Sequence, residues 1–261
     1  MGNDRYIHHE EAHNLGAPEI IVPVIMDILK PESVVDVGCG IGTFLHVFQK
    51  AGVDQILGID GHWVDRTQLG QYIDATLFME ADLEKELSIE RRFDLVISLE
   101  VAEHLAESSA DTFINTLVSL GDIILFSASI PGQFGQNHLN EQWPDYWKIK
   151  FEDRGYEFHD VMRPIFWNNT SLPRWYKQNM FVAAKPELRH SVEGFQKHAG
   201  DELKCYVHLE YFETYRNVLQ SSEKDKAELR LALETLKSGR ESLSLYIKLI
   251  TKALLATMKG K

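Results

Sequence analysis

Apolar residues in the first two thirds of the chain switch between two spacings. Ile20, Ile21, Val24, Ile25, Ile28 and Leu29 recur every three or four positions, as on one face of a helix, and the pattern stops at Lys30-Pro31. A short apolar segment over 33–37 follows, of the length of a buried strand. The alternation then repeats. Strands are predicted over 55–59, 93–99 and 122–128, with a helix over 111–120 between the last two. A helix over 144–154 has its proline in the tolerated first turn, and strands are predicted over 156–162 and 178–184. Strands that alternate with amphipathic helices predict an α/β fold, a mainly parallel sheet covered by helices on both faces.

Beyond Pro186 the apolar strands cease and a stretch rich in Leu, Glu, Lys and Arg begins. Leu229, Leu233, Leu236, Leu243, Ile247, Ile250 and Leu254 fall at spacings of three, four or seven, with Gly239 as a kink or break. The pattern divides the chain into a body over 1–187 and a helical extension over 188–261. Two readings of the extension stand side by side: helices folded back on the body, or a coiled coil that joins two copies into a homo-oligomer. The Lys-spaced apolar end KLITKALLATMKGK adds a third, a helix lying on a membrane surface.

Composition narrows the class. A chain of 261 residues that is 44% hydrophobic buries one substantial core and carries an appendage. No apolar run approaches the roughly 20 residues of a transmembrane segment, and the start MGNDRYIHHEEAHN lacks the features of a signal peptide, so a cytoplasmic protein is expected. Cys39 and Cys205 are the two cysteines, and Cys39 lies within a glycine turn that a bridge would disturb, so no disulfide is expected. Residues 1–187 hold 14 Lys or Arg against 29 Asp or Glu, a net −15, and 188–261 hold 13 against 10, within a whole-chain charge of −12. A body this acidic repels a phosphate backbone, which makes long nucleic acid a poor candidate partner.

Two groups of residues carry chemistry. The first is Val34-Val35-Asp36-Val37-Gly38-Cys39-Gly40-Ile41-Gly42-Thr43-Phe44-Leu45, a strand that runs through a glycine turn into a helix. Glycine lets a ligand approach the backbone and tolerates positive φ. The third glycine comes at Gly42, one place earlier than a dinucleotide fingerprint requires. Further on, Leu57-Gly58-Ile59-Asp60-Gly61 ends a strand in a carboxylate. Glu80-Ala81-Asp82-Leu83 and the strand ending at Leu99 follow in order.

This series resembles the motifs of class I S-adenosylmethionine-dependent methyltransferases. The resemblance implies a Rossmann-like methyltransferase fold with a seven-stranded, mainly parallel sheet, and S-adenosylmethionine as cofactor. It places Asp36, Gly38, Cys39, Gly40, Thr43 and Phe44 around the cofactor, with Asp60 and Gly61 at the ribose hydroxyls. It also sets Asp82 and Leu83 at the adenine, and Leu99 at the methionine end. Each position has a plainer structural reading. Asp60 and Asp82 fit helix caps, Asp36 orients the glycine loop, and Cys39 is a small buried filler.

The second group is Glu100, Glu103 and His104, at i, i+3 and i+4, which share one face if the turn is helical. Two acids at a helix N-terminus with an incidental histidine account for the spacing, and so does a metal site. The run resembles the E-x-x-E-H signature of metal-dependent O-methyltransferases of ubiquinone biosynthesis and of small-RNA 3' ends, in which a further histidine follows strand 5. The resemblance implies a divalent metal, Mg²⁺, on Glu100, Glu103, His104 and His138, whereas a mixed nitrogen and oxygen set suits Mn²⁺, Fe²⁺ or Co²⁺ on chemical grounds; Glu103, His104 and His138 are then catalytic, with either histidine as ligand or base.

Less specific signals remain. Tyr6, His8, His9, His13 and Asn14 form a lid or a frayed terminus. Trp167, Trp175, Tyr176, Gln178 and Asn179 suit a sugar face or core packing, and Arg163 holds an acceptor's anionic group or pairs with a surface acid. The expectation is a metal-assisted O-methyltransferase acting on a hydroxyl of a glycan or small polyol, in the manner of the bacterial sugar methyltransferases the chain resembles. RNA 3'-end or quinone-precursor methylation and a non-catalytic scaffold working through its tail are the alternatives.

Overall fold

The computed structural model describes residues 14–133, 135–189 and 207–237. Within it the apolar segments become neighbours in one seven-stranded sheet. β1 (Ser33–Val37), buried along its whole length, has β2 (Gln55–Asp60) and then β3 (Phe78–Glu80) on one side. On the other side lie, in order, β4 (Leu95–Leu99), β5 (Ile123–Ser127), β7 (Phe181–Ala184) and β6 (Glu157–His159). Strands β1 to β5 pair in parallel, and β7 runs antiparallel to both β5 and β6. The order reverses between β1 and β4, and it is beyond the carboxyl ends of the strands at such a switch point that open α/β sheets bind ligands.

Alternation along β1 sends its side chains to two cores. Val34 joins the cluster built by Ile21 and Ile25 of α1 (Gly16–Ile28), Leu45 and Phe48 of α2 (Thr43–Lys50), Met162 and Phe166 of α6 (Met162–Phe166), and Tyr176 of α7 (Arg174–Asn179). Val35 and Val37 join the other, with Phe113, Ile114 and Leu117 of α4 (Ala110–Leu120) and Trp147 and Phe151 of α5 (Pro144–Glu152). Each such side chain contributes about 1.5–3 kcal/mol on burial, which holds the strand ends and their loops in register. A four-residue helix, α3 (Arg66–Leu69), follows β2, capped by Asp65, whose carboxylate accepts from the N–H groups of Thr67 and Gln68.

The structure departs from the pattern in three places. β3 is only three residues long and partly exposed, so it lacks the apolar run that marks the other strands. The strands predicted over 156–162 and 178–184 shrink to β6 and β7, because their antiparallel registers end at His159↔Val182 and Phe126↔Phe181. Met162 then starts α6, and Gln178 and Asn179 close α7.

The chain divides into two compact units, Met1–His208 and Leu209–Lys261. The first reaches beyond residue 187, since the N–H of His208 donates to Gln178 Oε1 at 2.6 Å and its Nε2 lies 2.9 Å from the carbonyl of Trp167. In the second, α8 (Leu209–Lys237) is a continuous 29-residue helix. Gly239, Leu243, Ile247, Ile250, Leu254 and the Lys-spaced end lie outside the described residues, as do Tyr6, His8, His9, His13 and Cys205. No described helix is long and apolar enough to cross a membrane.

Candidate active site

Beyond β1 the chain makes its turn on glycines in left-handed backbone. Gly38 has φ +89°, and a Cβ there would stand 2.3 Å from Val101; Gly42, at φ +84°, opens α2. The turn walls a cavity of about 300 Å³ at the carboxyl ends of β1, β2 and β4. Asp36, Gly38, Cys39, Gly40, Thr43, Phe44, Asp60, Leu83 and Leu99 line it, and so do Glu100, Glu103, His104 and His138.

Asp60 is buried at the end of β2. Its Oδ2 accepts the N–H of Gly40 at 2.7 Å and its Oδ1 that of Gly61 at 2.6 Å, and the Trp63 side chain donates a further bond. Burial pushes its carboxyl up while these three donors pull it back, an arrangement that fixes both oxygens yet leaves lone pairs for a diol. Asp36 is raised well above the usual carboxylate range by burial and by Asp60. The same two carboxylates, after burial, push the Cys39 thiol up, so it stays protonated as an inert filler.

Gly61 and Asp82 are not part of the cavity lining. Gly61 acts through Asp60, and the Trp63 ring lies against its Cα, where a Cβ would meet it at 2.3 Å. The half-exposed Asp82 pairs with Lys85 at 2.8 Å and accepts the N–H of Glu84 at 3.1 Å, a local capping role that lowers its pKa.

The second group does not sit on a helical face. Ala102–His104 is a single 3-10 turn, and Glu100 precedes it in left-handed backbone, φ +55°, which turns its side chain away from the direction an α-helix would give. Asn179 Nδ2 donates to Glu100 Oε1 at 3.0 Å and Gln133 Nε2 to Oε2 at 2.8 Å. The cluster with metal-ligand spacing is therefore three residues, Glu103, His104 and His138, whose ligand atoms all lie within 4.8 Å of one another. Glu100 stands beside it, in the grip of two amides.

Backbone bonds assemble the three. The N–H groups of Leu139 and Asn140 both donate to the carbonyl of Glu103, at 2.7 and 3.0 Å, which brings the His138 ring to 4.9 Å from that of His104. His138 Nδ1 lies 2.7 Å from Glu141 Oε1, a carboxylate that can only accept, so in the neutral ring Nδ1 carries the proton and Nε2 is the ligand nitrogen. A Cβ on Gly135 would stand 2.0 Å from that nitrogen, so the glycine makes room for the ring. Burial, with His138 adding to it, lowers His104 to about 4 and keeps its imidazole neutral at pH 7. Glu103 is fully buried. Its Oε1 accepts from Ser129 at 2.8 Å, whereas Oε2 has no partner among the described residues. Burial and then Glu100 push this carboxyl well up. A buried carboxylate oxygen lacking a partner, next to two imidazoles, fits a divalent cation.

Residues 15–172 match a family model described as a methyltransferase domain. The chain belongs to the class I S-adenosylmethionine-dependent methyltransferases. No curated protein matches it. Among solved structures, the methyltransferase resembles DesVI of Streptomyces venezuelae, at 12% identity and a TM-score of 0.50 over 66% of this chain and 91% of that one. It also resembles the sugar N-methyltransferase KedS8 from Streptoalloteichus sp ATCC 53650, at 14% and 0.52 over 67% and 90%. The methyltransferase domain of bacterial CtHen1 matches at 19% and 0.48 over 66% and 100%.

Several residues of the methyltransferase site escape sequence reasoning. Trp63, Gln133 and Gln136 line the cavity. The aromatic in Asp60-Gly61-His62-Trp63 was the available signal for the first; the two glutamines lie in the loop that leads to His138 and carry none of their own. Asn14, Trp175 and Tyr176, singled out from sequence, also line the cavity. Gln178 turns to His208 instead, and Arg163 is buried against Asp160, 2.9 Å from Nε to Oδ1.

Proposed function

We propose that the protein transfers the methyl group of S-adenosylmethionine to a hydroxyl of a sugar, glycan or small polyol, with a divalent cation held by Glu103, His104 and His138. The observation that carries this reading is the opening of that three-residue cluster into the same cavity as the glycine turn and Asp60. The new bond joins the acceptor oxygen to the methyl carbon as the carbon–sulfur bond breaks, the pair stays on sulfur as a neutral thioether, and the hydroxyl proton passes to water. S-adenosylmethionine, when bound, supplies the electrophilic methyl. A cation, when bound, would acidify the hydroxyl and fix its direction.

The chain's own residues do the rest. Asp60 holds the ribose diol, and the glycine turn keeps the cofactor close to backbone. Glu103 supplies negative charge without a competing hydrogen bond on Oε2. His104, kept neutral, gives its lone pair to a cation or takes a proton, and not both at once. A vicinal diol suits the open positions that three protein ligands leave. The net charge of −15 over residues 1–187 argues against a polyanionic acceptor.

The test is mass spectrometry of glycan and polyol pools incubated with protein and labelled cofactor, followed by chelation and rescue with single metals. A gain of one methyl group that stops in excess chelator and returns with Mg²⁺ or Mn²⁺ is expected. Full transfer in excess chelator would overturn the metal role and favour a base mechanism through His104 or His138. Activity on RNA ends that collapses in modest salt would replace the glycan reading.

A further inference from the structure

The loop that carries His138 borders a second cavity, of about 340 Å³, lined by Gly135, His138, Leu139 and Glu141. Gly135 and His138 also line the cofactor cavity, so the imidazole stands between the two spaces. Leu139 is 66% exposed, yet its backbone is fixed by the bond from its N–H to the carbonyl of Glu103. Gln142 N–H to the carbonyl of Ser129, at 3.2 Å, fixes the loop a second time. A leucine on a freely moving surface loop would say little. One whose backbone is bonded to the turn bearing Glu103 and His104 is held as an apolar surface beside the reacting centre. Trp143, on the same loop, is 42% exposed.

The charge of this second space is equally informative. The one acid that lines it among the described residues, Glu141, is spent on His138 Nδ1 and on the N–H of Gly132. Among the described residues, no Lys or Arg lines it. A phosphate or carboxylate placed there would meet a carboxylate and no cation.

We propose that this cavity is the acceptor cleft, and that the acceptor is a neutral glycoside whose sugar hydroxyl reaches the cluster at His138 while its apolar aglycone lies over Leu139. The proposal rests on the O-methylation reading above and adds the substrate class: amphipathic and uncharged, rather than a free sugar or a sugar phosphate.

Binding and turnover test it separately. A series of alkyl glucosides from methyl to hexyl is titrated by calorimetry into full-length protein saturated with S-adenosylhomocysteine, and each is assayed for methyl transfer. Dissociation constants are expected to fall about two- to fourfold per added methylene, the range for partial to full burial of a CH₂. Glucose 1-phosphate is expected to bind no better than glucose. Leu139→Ser flattens the chain-length series while S-adenosylhomocysteine affinity, which checks folding, stays at the parent value. A series that is flat in the parent, or equally steep in Leu139→Ser, overturns the cleft. A steep series that Leu139→Ser abolishes, without methyl transfer, keeps the cleft and overturns the O-methylation reading. Transfer without chain-length dependence does the reverse.

Discussion

The two walls of the central cavity are built from different materials. The wall at the glycine turn, where the proposed function puts the cofactor, is held together by backbone. Gly38, Gly40 and the Asp60 carboxylate lie within one β1–α2–β2 unit, and the key contacts join main-chain N–H groups to a strand-end acid. The opposite wall is a network of side chains collected from distant segments. Glu100 meets Gln133 and Asn179, the latter 79 positions away, and His138 meets His104 only because a loop after β5 is bonded to a turn after β4. One wall follows from local sequence, the other from tertiary assembly, and in the proposed function the same division separates binding from chemistry.

Substitutions that sort onto one wall each sharpen that division. The largest effect is expected for Glu103→Gln, which keeps the shape and removes the charge. Metal affinity and methyl transfer should both fall at least about 100-fold, while calorimetry finds S-adenosylhomocysteine bound as in the parent. Equal loss of cofactor affinity would show that the walls are not separable. Next comes Asp60→Ala. A diol and two backbone N–H groups lose their acceptor, so cofactor binding should weaken by about 1–3 kcal/mol while metal affinity in the absence of cofactor holds.

The different materials also explain what the sequence disclosed. Residues 34–45 are legible because strand, glycine turn and helix are consecutive, and a conformation that needs positive φ at Gly38 and Gly42 leaves glycines as its mark. Four of the five parallel strands and the position of Asp60 follow from the same periodicity, and the three-residue, partly exposed β3 does not. The spacing of Glu100, Glu103 and His104 predicts a shared helix face, and the left-handed backbone at Glu100 defeats that prediction. Nothing in its composition marks a non-glycine residue at φ +55°. Asn179 stands out among the amides near the last strand, but its partner Glu100 is set by the antiparallel return of β7, which no local pattern encodes.

A smaller effect separates the walls by proton count. Without a cation, burial and then Glu100 push the Glu103 carboxyl well above its ordinary range, which favours a proton there that a cation displaces. His104, lowered to about 4, carries none. Metal binding should therefore release protons, and metal affinity should rise with pH. Calorimetry in two buffers of different ionisation enthalpy measures the count. The stability of the metal-free protein depends on pH through the same histidine. The folded pKa of His104 lies below its ordinary value of 6.5, so its contribution is complete above that value and is lost as pH falls toward 4, and His104→Gln should make the acid limb shallower.

The smallest effect is the one expected at Asp82. Motif resemblance puts its carboxylate at the adenine, whereas the structure gives it to Lys85 and the N–H of Glu84, half exposed and outside the cavity lining, with only its neighbour Leu83 in contact with the cavity. An exposed ion pair of this kind contributes little, so Asp82→Ala should change stability by less than about 0.5 kcal/mol. If the adenine side of the wall is also built of backbone and apolar surface, cofactor affinity should change less than about threefold, well short of the Asp60→Ala loss. Calorimetry with S-adenosylhomocysteine, run on both variants, decides it. A loss at Asp82 equal to that at Asp60 would mean that the carboxylate leaves Lys85 and turns to the adenine amine on binding. The cofactor wall would then depend on a mobile side chain at one end, and the contrast with the opposite wall would hold only for its glycine-lined half.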